Sequence, residues 1–261
     1  MVLAEWAGER GWEIAIGEDP GQVPGLRSVL AVAPDAGSIG PVLEMSGLAV
    51  VVVDPGGMTA GGNLSTIGGS IRRDQAGFLA GALAGLSSES GWVGRIDETG
   101  GAESAIYQMS FLHGLRFGCP RCQMVSLAAG EATLDRFRSE GVDVVWAVPG
   151  PAADAALAPL AEGGMWIVWA EVPPQGITPS QIAGGVGSAP EALVALALDS
   201  ILAGDAGRDW PYDVASGGLG LAGLNNDAVS PGRQRLLREA EQALATGALD
   251  PGVDPQTGEE R

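Results

Sequence analysis

The chain has no lysine. All 14 of its basic residues are arginine, set against 32 Asp and Glu for a formal net charge of −18. Without lysine there is no Walker phosphate loop. So acidic a surface repels phosphate backbones and anionic lipid heads, which argues against a nucleic-acid partner. Histidine is reduced to His113 alone, so a Ser-His-Asp triad would have one possible base, placed mid-helix among core-packing residues. Cys119 and Cys122 form a single CPRC; with no second CxxC and no further histidine, a four-ligand zinc site lacks ligands. No GxSxG occurs, and no GxGxxG stands between a strand and a helix. No apolar run approaches the ~18 residues of a membrane span, and Leu48 to Val53 is strand-length. The start, MVLAEWAGER, has no basic leader and no cleavage site, so it does not read as a signal peptide. Either the protein is cytoplasmic or the chain begins downstream of its true start.

What is present is an alternation. The length of 261 residues allows one large domain or two ordinary ones, and 46% apolar content supports a core. Helix is expected over Val2–Arg10, Asp35–Met45, Arg72–Leu86 (with Ser70 as N-cap), Ser104–Phe117, Leu134–Glu140, Ala152–Glu162, Glu191–Leu202 and from Pro231 to Thr246. Strand is expected over Trp12–Ile16, Ser28–Ala33, Leu48–Asp54, Leu64–Gly68, Gly91–Asp97, Gln123–Ala128, Val142–Val148, Met165–Ala170 and Gln181–Gly187. A hairpin or paired short strands is expected over Tyr212–Leu224, and a polar tail over the last dozen residues. Most strands are continuous apolar runs, the mark of parallel strands buried on both faces. Ten strands in one sheet would be unusual, so two Rossmann-like lobes fit better, with a break near Ser87–Gly91. Gly77, Gly81 and Gly85 fall on one face of the Arg72–Leu86 helix. Each costs about 1 kcal/mol against Ala in a helix interior, so the stripe implies another backbone lying close, read here as helix–sheet packing.

In such folds ligands bind outside the carboxyl ends of the strands. The candidate edges are Pro34-Asp35, Asp54-Pro55, Asp97-Glu98, Pro149-Gly150 and Glu171. Each carboxylate there could accept from ligand hydroxyls or merely cap a helix. Trp146 and Trp169 end two buried strands and either pack or stack on a flat or sugar-like ligand. The CPRC pair could be a disulfide, free thiols, or a redox or metal site. No set of nucleophile, base and metal ligands emerges, so the catalytic, metal and cofactor expectations are none. Two lobes with polar and aromatic strand ends suit a binding protein.

The stretch DQAGFLAGALAGLSSESGWVGRI resembles the signature of the basic membrane protein family, substrate-binding proteins of ABC transporters. FLHGLRFG, DVVWAVPGPA, WIVWAE and LGLAGLNNDAVSPGRQRLLREAEQAL follow in the family's order, so the resemblance covers about Arg27 to Leu249. It implies a type I periplasmic-binding-protein fold with a ligand cleft between two lobes, and a nucleoside or sugar-like ligand. Glu171 matches the family's ribose-holding carboxylate, as Glu where the family has Asp. Gly150 matches its glycine loop, and Asp74 its acidic position before the helix. Trp169 stands where the family has Gly, and the family's cleft lysine aligns near Gly187. The family's opening strand has no counterpart here.

The resulting expectations are a solute-binding protein of an ABC-type importer, or a ligand-sensing domain of the same fold. Residues 1–90, completed by about 188–210, form one lobe; residues 91–187, completed by about 211–250, form the other. The ligand set is Pro34, Asp35, Asp54, Asp74, Trp146, Gly150, Trp169 and Glu171, with Cys119 and Cys122 disulfide-bonded. Partners are a small-molecule ligand and transporter permease subunits, and the protein is a monomer. It is extracytoplasmic, lipid-anchored or secreted, with its first strand and export signal or anchor lying upstream of Met1.

Overall fold

Runs of valine, isoleucine and alanine cannot face water on either side, and here they become parallel strands. The computed structural model describes residues 2–16, 19–23, 25–45, 47–97 and 102–261. In chain order the elements are α1 (Val2–Glu9), β1 (Ser28–Val32), α2 (Ala36–Leu43), β2 (Ala49–Val53), β3 (Leu64–Ile71), α3 (Arg73–Ser87), β4 (Trp92–Asp97), α4 (Ala102–Gly118) and β5 (Gln123–Ala128). There follow α5 (Leu134–Ser139), β6 (Val144–Ala147), α6 (Pro151–Glu162), β7 (Trp166–Glu171), β8 (Ile182–Ser188), α7 (Pro190–Leu202), β9 (Asp209–Tyr212), β10 (Leu219–Ala222) and α8 (Pro231–Ala245). They divide into two units, Met1–Ile71 with Ala189–Gly218, and Arg72–Ser188 with Leu219–Arg261. The sequence alone suggests a break after residue 90; in the fold α3 is grouped with the strands it packs on.

The first unit is a four-stranded parallel sheet in the order β1-β2-β3-β9. Val50, Val52, Leu64 and Ile39 form its core, with Val29, Ala31 and Val42 packed around them. On the same unit α1 is tied to α7, where Trp6 Nε1 and an Arg10 guanidinium nitrogen both donate to Asp199 Oδ1, at 3.0 and 2.8 Å. Residues 12–16, expected as a strand, are irregular. Trp12 instead sets its ring edge-on to Trp6 at 5.4 Å, and Ile16 is 88% exposed.

The second unit is a six-stranded sheet in the order β10-β8-β7-β6-β4-β5, parallel except for β10 against β8. One core gathers Ile96, Phe137, Leu157, Leu160 and Ile167. In the same unit lies the α3–α4 pair, and here the glycine stripe finds its partner. It is a helix and not the sheet. A Cβ on Gly81 would strike the Phe111 carbonyl oxygen, and one on Gly114 the Phe78 carbonyl. The two backbones touch directly, which only glycine permits.

Two further expectations change. β9 and β10 do not pair with each other: β9 runs parallel to β3, and β10 antiparallel to β8. Ser70 is no helix cap, because it belongs to β3 and donates from Oγ to Asp209 Oδ2 at 2.9 Å. The chain end is also ordered. Val253 is fully buried and bridges Glu260, while His113 Nδ1 donates to the Pro251 carbonyl at 2.8 Å.

Candidate functional site

In the second unit β4, β6 and β7 run side by side and end at one edge, where Asp97, Ala147 and Glu171 are their last residues. A cavity of about 130 Å³ lies there, lined by Arg73, Glu103, Ser104, Tyr107, Val148, Pro149 and Glu171. Its walls combine an arginine, two carboxylates and two hydroxyls, groups suited to the hydroxyls of a polar solute.

Glu171 is the centre of the set. It has φ +65°, a left-handed conformation that costs a non-glycine residue about 1–3 kcal/mol and turns up at functional sites. Its Oε1 accepts from the Tyr107 hydroxyl at 2.6 Å and lies 3.6 Å from Arg73 Nε. Arg73 also reaches Glu103 at 3.1 Å. Tyr107 is 2% exposed, carried into place by the packing of α4. Burial first, then the charge and hydrogen bond of Glu171, push its phenol well above the ordinary tyrosine range, so it stays protonated and donating. Beside this set, Arg95 grips Asp97 through two hydrogen bonds of 2.7 and 3.1 Å. Gln108 Nε2 donates to Asp97 Oδ1 and to Ser104 Oγ, at 3.3 and 3.1 Å. Asp97 is therefore committed to its neighbours, and Ser104 is held at the cavity wall.

The first unit repeats the central pairing at its own sheet edge. Asp54 directly follows β2, has φ +52°, and its Oδ1 accepts from the Tyr212 hydroxyl at 3.0 Å. Burial, then Asp54, raises the Tyr212 phenol above its ordinary value. Gly68 makes room for that ring, since a Cβ there would enter it.

The other sequence candidates fall elsewhere. Asp35 caps α2, its Oδ1 accepting from Ser38 N at 2.9 Å, and Pro34 precedes it in the same turn. Asp74 is 1% exposed and gripped by two hydrogen bonds from Arg72, at 2.8 and 2.7 Å. A buried, doubly bonded carboxylate is a scaffold group, and its neighbour Arg73 is the residue on the cavity. Trp146 has no surface to offer a ligand: it is fully buried and stacks on Phe111 at 4.3 Å. Trp169 lies over Gly185 and Gly187, where any Cβ would crowd the indole. Gly150 opens α6, its carbonyl accepting from Asp154 N at 2.9 Å. Cys119 and Cys122 are joined by a disulfide. Glu98 lies outside the described residues.

Sequence reasoning missed Tyr107, Tyr212, Arg73, Glu103 and Ser104. Tyr107 was hidden inside a helix whose apolar period accounts for it as core, and Arg73 beside the more family-like Asp74. One signal was available: these are the chain's two tyrosines. Among the described residues no group of three or more His, Cys, Asp or Glu could hold a metal, and no helix is long and apolar enough to cross a membrane.

No protein-family profile and no curated protein matches the chain. Solved structures do. An ABC transporter solute-binding protein from Conexibacter woesei is 17% identical, covers 95% of this chain and 92% of its own, and has a TM-score of 0.69. A transcriptional activator of the comK gene from Bacillus halodurans is 16% identical over 87% of this chain and 81% of its own, at 0.63. An ABC transporter solute-binding protein from Aeropyrum pernix is 14% identical over 95% and 80%, at 0.58. At such identities the likeness is one of fold, and the fold is α/β of the type I periplasmic-binding-protein kind, shared with solute-binding proteins of ABC transporters.

Proposed function

We propose that this chain is a solute-binding protein of an ABC-type importer, binding a small polar nucleoside- or sugar-like solute without chemistry. The observation that carries it is the polar cavity at the carboxyl edge of β7, with Glu171 in a left-handed conformation between Tyr107 and Arg73. The fold shared with ABC solute-binding proteins supports the same reading. In it the protein works outside the cytoplasm as a monomer, delivers its solute to permease subunits, and stands near the basic membrane protein family. The test is thermal denaturation against a panel of nucleosides and monosaccharides. At a concentration a hundred times Kd, a true ligand stabilises by about 2.7 kcal/mol. A panel with no stabilising member overturns the proposal. A second reading, a ligand-sensing domain in a regulatory system, is favoured by the comK activator's use of this fold. A signal peptide or lipid-attachment cysteine upstream in the reading frame decides for transport, and a DNA-binding or kinase segment for sensing.

A further inference from the structure

Away from the cavity, the second unit carries an opening of another kind. A groove of about 360 Å³ lies where the ends of α3 and α4 meet α8. Leu86, Phe117, Leu236, Ala243 and Leu249 are among its apolar walls, and Glu239 is the one carboxylate in the lining. Phe117 and Leu236 are each 50% exposed. Single exposed apolar residues are ordinary, but two large ones sharing a groove mark an interaction surface. Every wall residue belongs to the second unit. Phe117 stands ten residues beyond Tyr107 on α4, about 15 Å along the helix axis. A partner in the groove therefore leaves the cavity open.

The charge around the groove runs against that of the chain. Residues 104–130 and 228–238 hold five arginines and no Asp or Glu, while the other nine arginines share the rest of the sequence with all 32 acids. Four of the five belong to the groove's rim. Arg233 donates to the carbonyl of Leu86, a wall residue, at 2.8 Å. Arg235 Nε lies 3.9 Å from Glu239 and offsets that wall carboxylate. Arg116 precedes Phe117 and is exposed. Arg121 is exposed in the CPRC turn directly after α4, a turn closed by the disulfide. Gly85, next to Leu86, lets that turn seat against α3, since a Cβ there would come within 3.1 Å of Cys119 Cβ. Among the described residues Arg116, Arg121 and Arg233 have no carboxylate partner, in a chain where acids outnumber arginines. Asp250, beside Leu249, faces Arg261 at 3.9 Å.

An apolar groove with a basic rim fits a partner that is apolar on one side and acidic on the other. The acidic remainder of the surface repels such a partner, so it is steered to this face. The walls are helices and a turn, with no strand edge to extend, so the fitting occupant is a helix with apolar anchors at i, i+3, i+4 and i+7. We propose that the groove between α4 and α8 docks an acidic amphipathic helix of a partner protein, with Arg116, Arg121, Arg233 and Arg235 meeting its acids. This surface is independent of the solute-binding reading.

The experiment is fluorescence anisotropy with the full chain and a labelled synthetic helix, leucine on one face and glutamate on the other. One control peptide carries glutamine for glutamate. A second keeps the residues and scatters the leucines around the helix. Expected is binding of the first peptide, weakened by salt, with each control bound about tenfold more weakly or worse. Leu236→Asp sets a like charge in the wall and should weaken the acidic helix about tenfold. The double variant Arg116→Gln, Arg121→Gln should do the same and flatten the salt dependence. These three side chains are exposed, so thermal midpoints should match the wild type. Should Leu236→Asp fail to fold, the arginine variant gives the answer. An acidic helix that is not bound, that binds no better than its controls, or that binds the variants as tightly as the wild type overturns the inference. Wild type held by phosphatidylserine vesicles and released by Leu236→Asp would give the face to a membrane and overturn it too. The solute panel reads a different site, so these outcomes leave the solute-binding reading as it was.

Discussion

Tyr107 and Tyr212 are protonated phenols by virtue of where they sit. Burial disfavours the phenolate, and a carboxylate at hydrogen-bond distance disfavours it again. A folded-state value above the unfolded one stabilises the fold fully below the unfolded value of about 10, and that contribution is lost as pH rises through the folded value. Ultraviolet titration of the tyrosines should therefore show no tyrosinate in the folded protein at a pH where the urea-unfolded chain is half ionised. A folded protein titrating with the unfolded one would remove the donating role of both hydroxyls. At this scale the sequence was legible in part. Asp54 and Glu171 were legible as acids that follow or close a buried strand, and their tyrosine partners were not. Asp74 could not be told from Arg73: adjacent residues on a helix point about 100° apart, and only the packed fold decides which faces the cavity. Trp146 misled because a strand end looks the same whether the ring above it is sealed by Phe111 or open.

Among the elements, the α3–α4 pair shows best how a small-residue pattern acts. Ordinarily Gly→Ala inside a helix stabilises by about 1 kcal/mol. At Gly81 the sign should reverse, because the added methyl lands on the Phe111 carbonyl, part of a backbone that cannot swing aside. Overpacking of this kind costs about 1–3 kcal/mol. Gly81→Ala should therefore lower the urea midpoint, whereas Gly232→Ala, in α8 with nothing within 4 Å of the new Cβ, should not. Equal effects at the two positions would mean that the helices are less closely packed than described. The stripe was readable from spacing, and so was the need for a nearby backbone. Its partner was not, because Gly114 and Gly118 sit in a helix whose own period reads as ordinary core packing. The β9 and β10 segments failed for a related reason. Consecutive short strands resemble a hairpin unless one knows that each has a longer strand to join.

For the molecule as a whole, apolar runs alternating with helices declared an α/β chain with parallel sheets, and the fold agrees. Charge and composition served mainly to exclude partners, since a net charge of −18 constrains what approaches and not how the chain folds. What stayed hidden was long-range: which strand edges carry tyrosine, and which arginine faces which acid. Ala33, Asp54 and Glu171 are the non-glycine residues with left-handed φ among the described residues, and each closes or follows a parallel strand. This occurs in a chain of 42 glycines, where the genetically easy solution was everywhere at hand. Strain that serves no partner and strain that holds one should therefore part company under selection. A library scored for heat resistance should collect glycine at 33, since that replacement relieves backbone strain. At 54 and 171 the same replacement strips a buried tyrosine hydroxyl of its acceptor, a cost of about 1–3 kcal/mol, so the acids should persist. Sequencing the winners would then separate idle strain from strain that holds a neighbour in place.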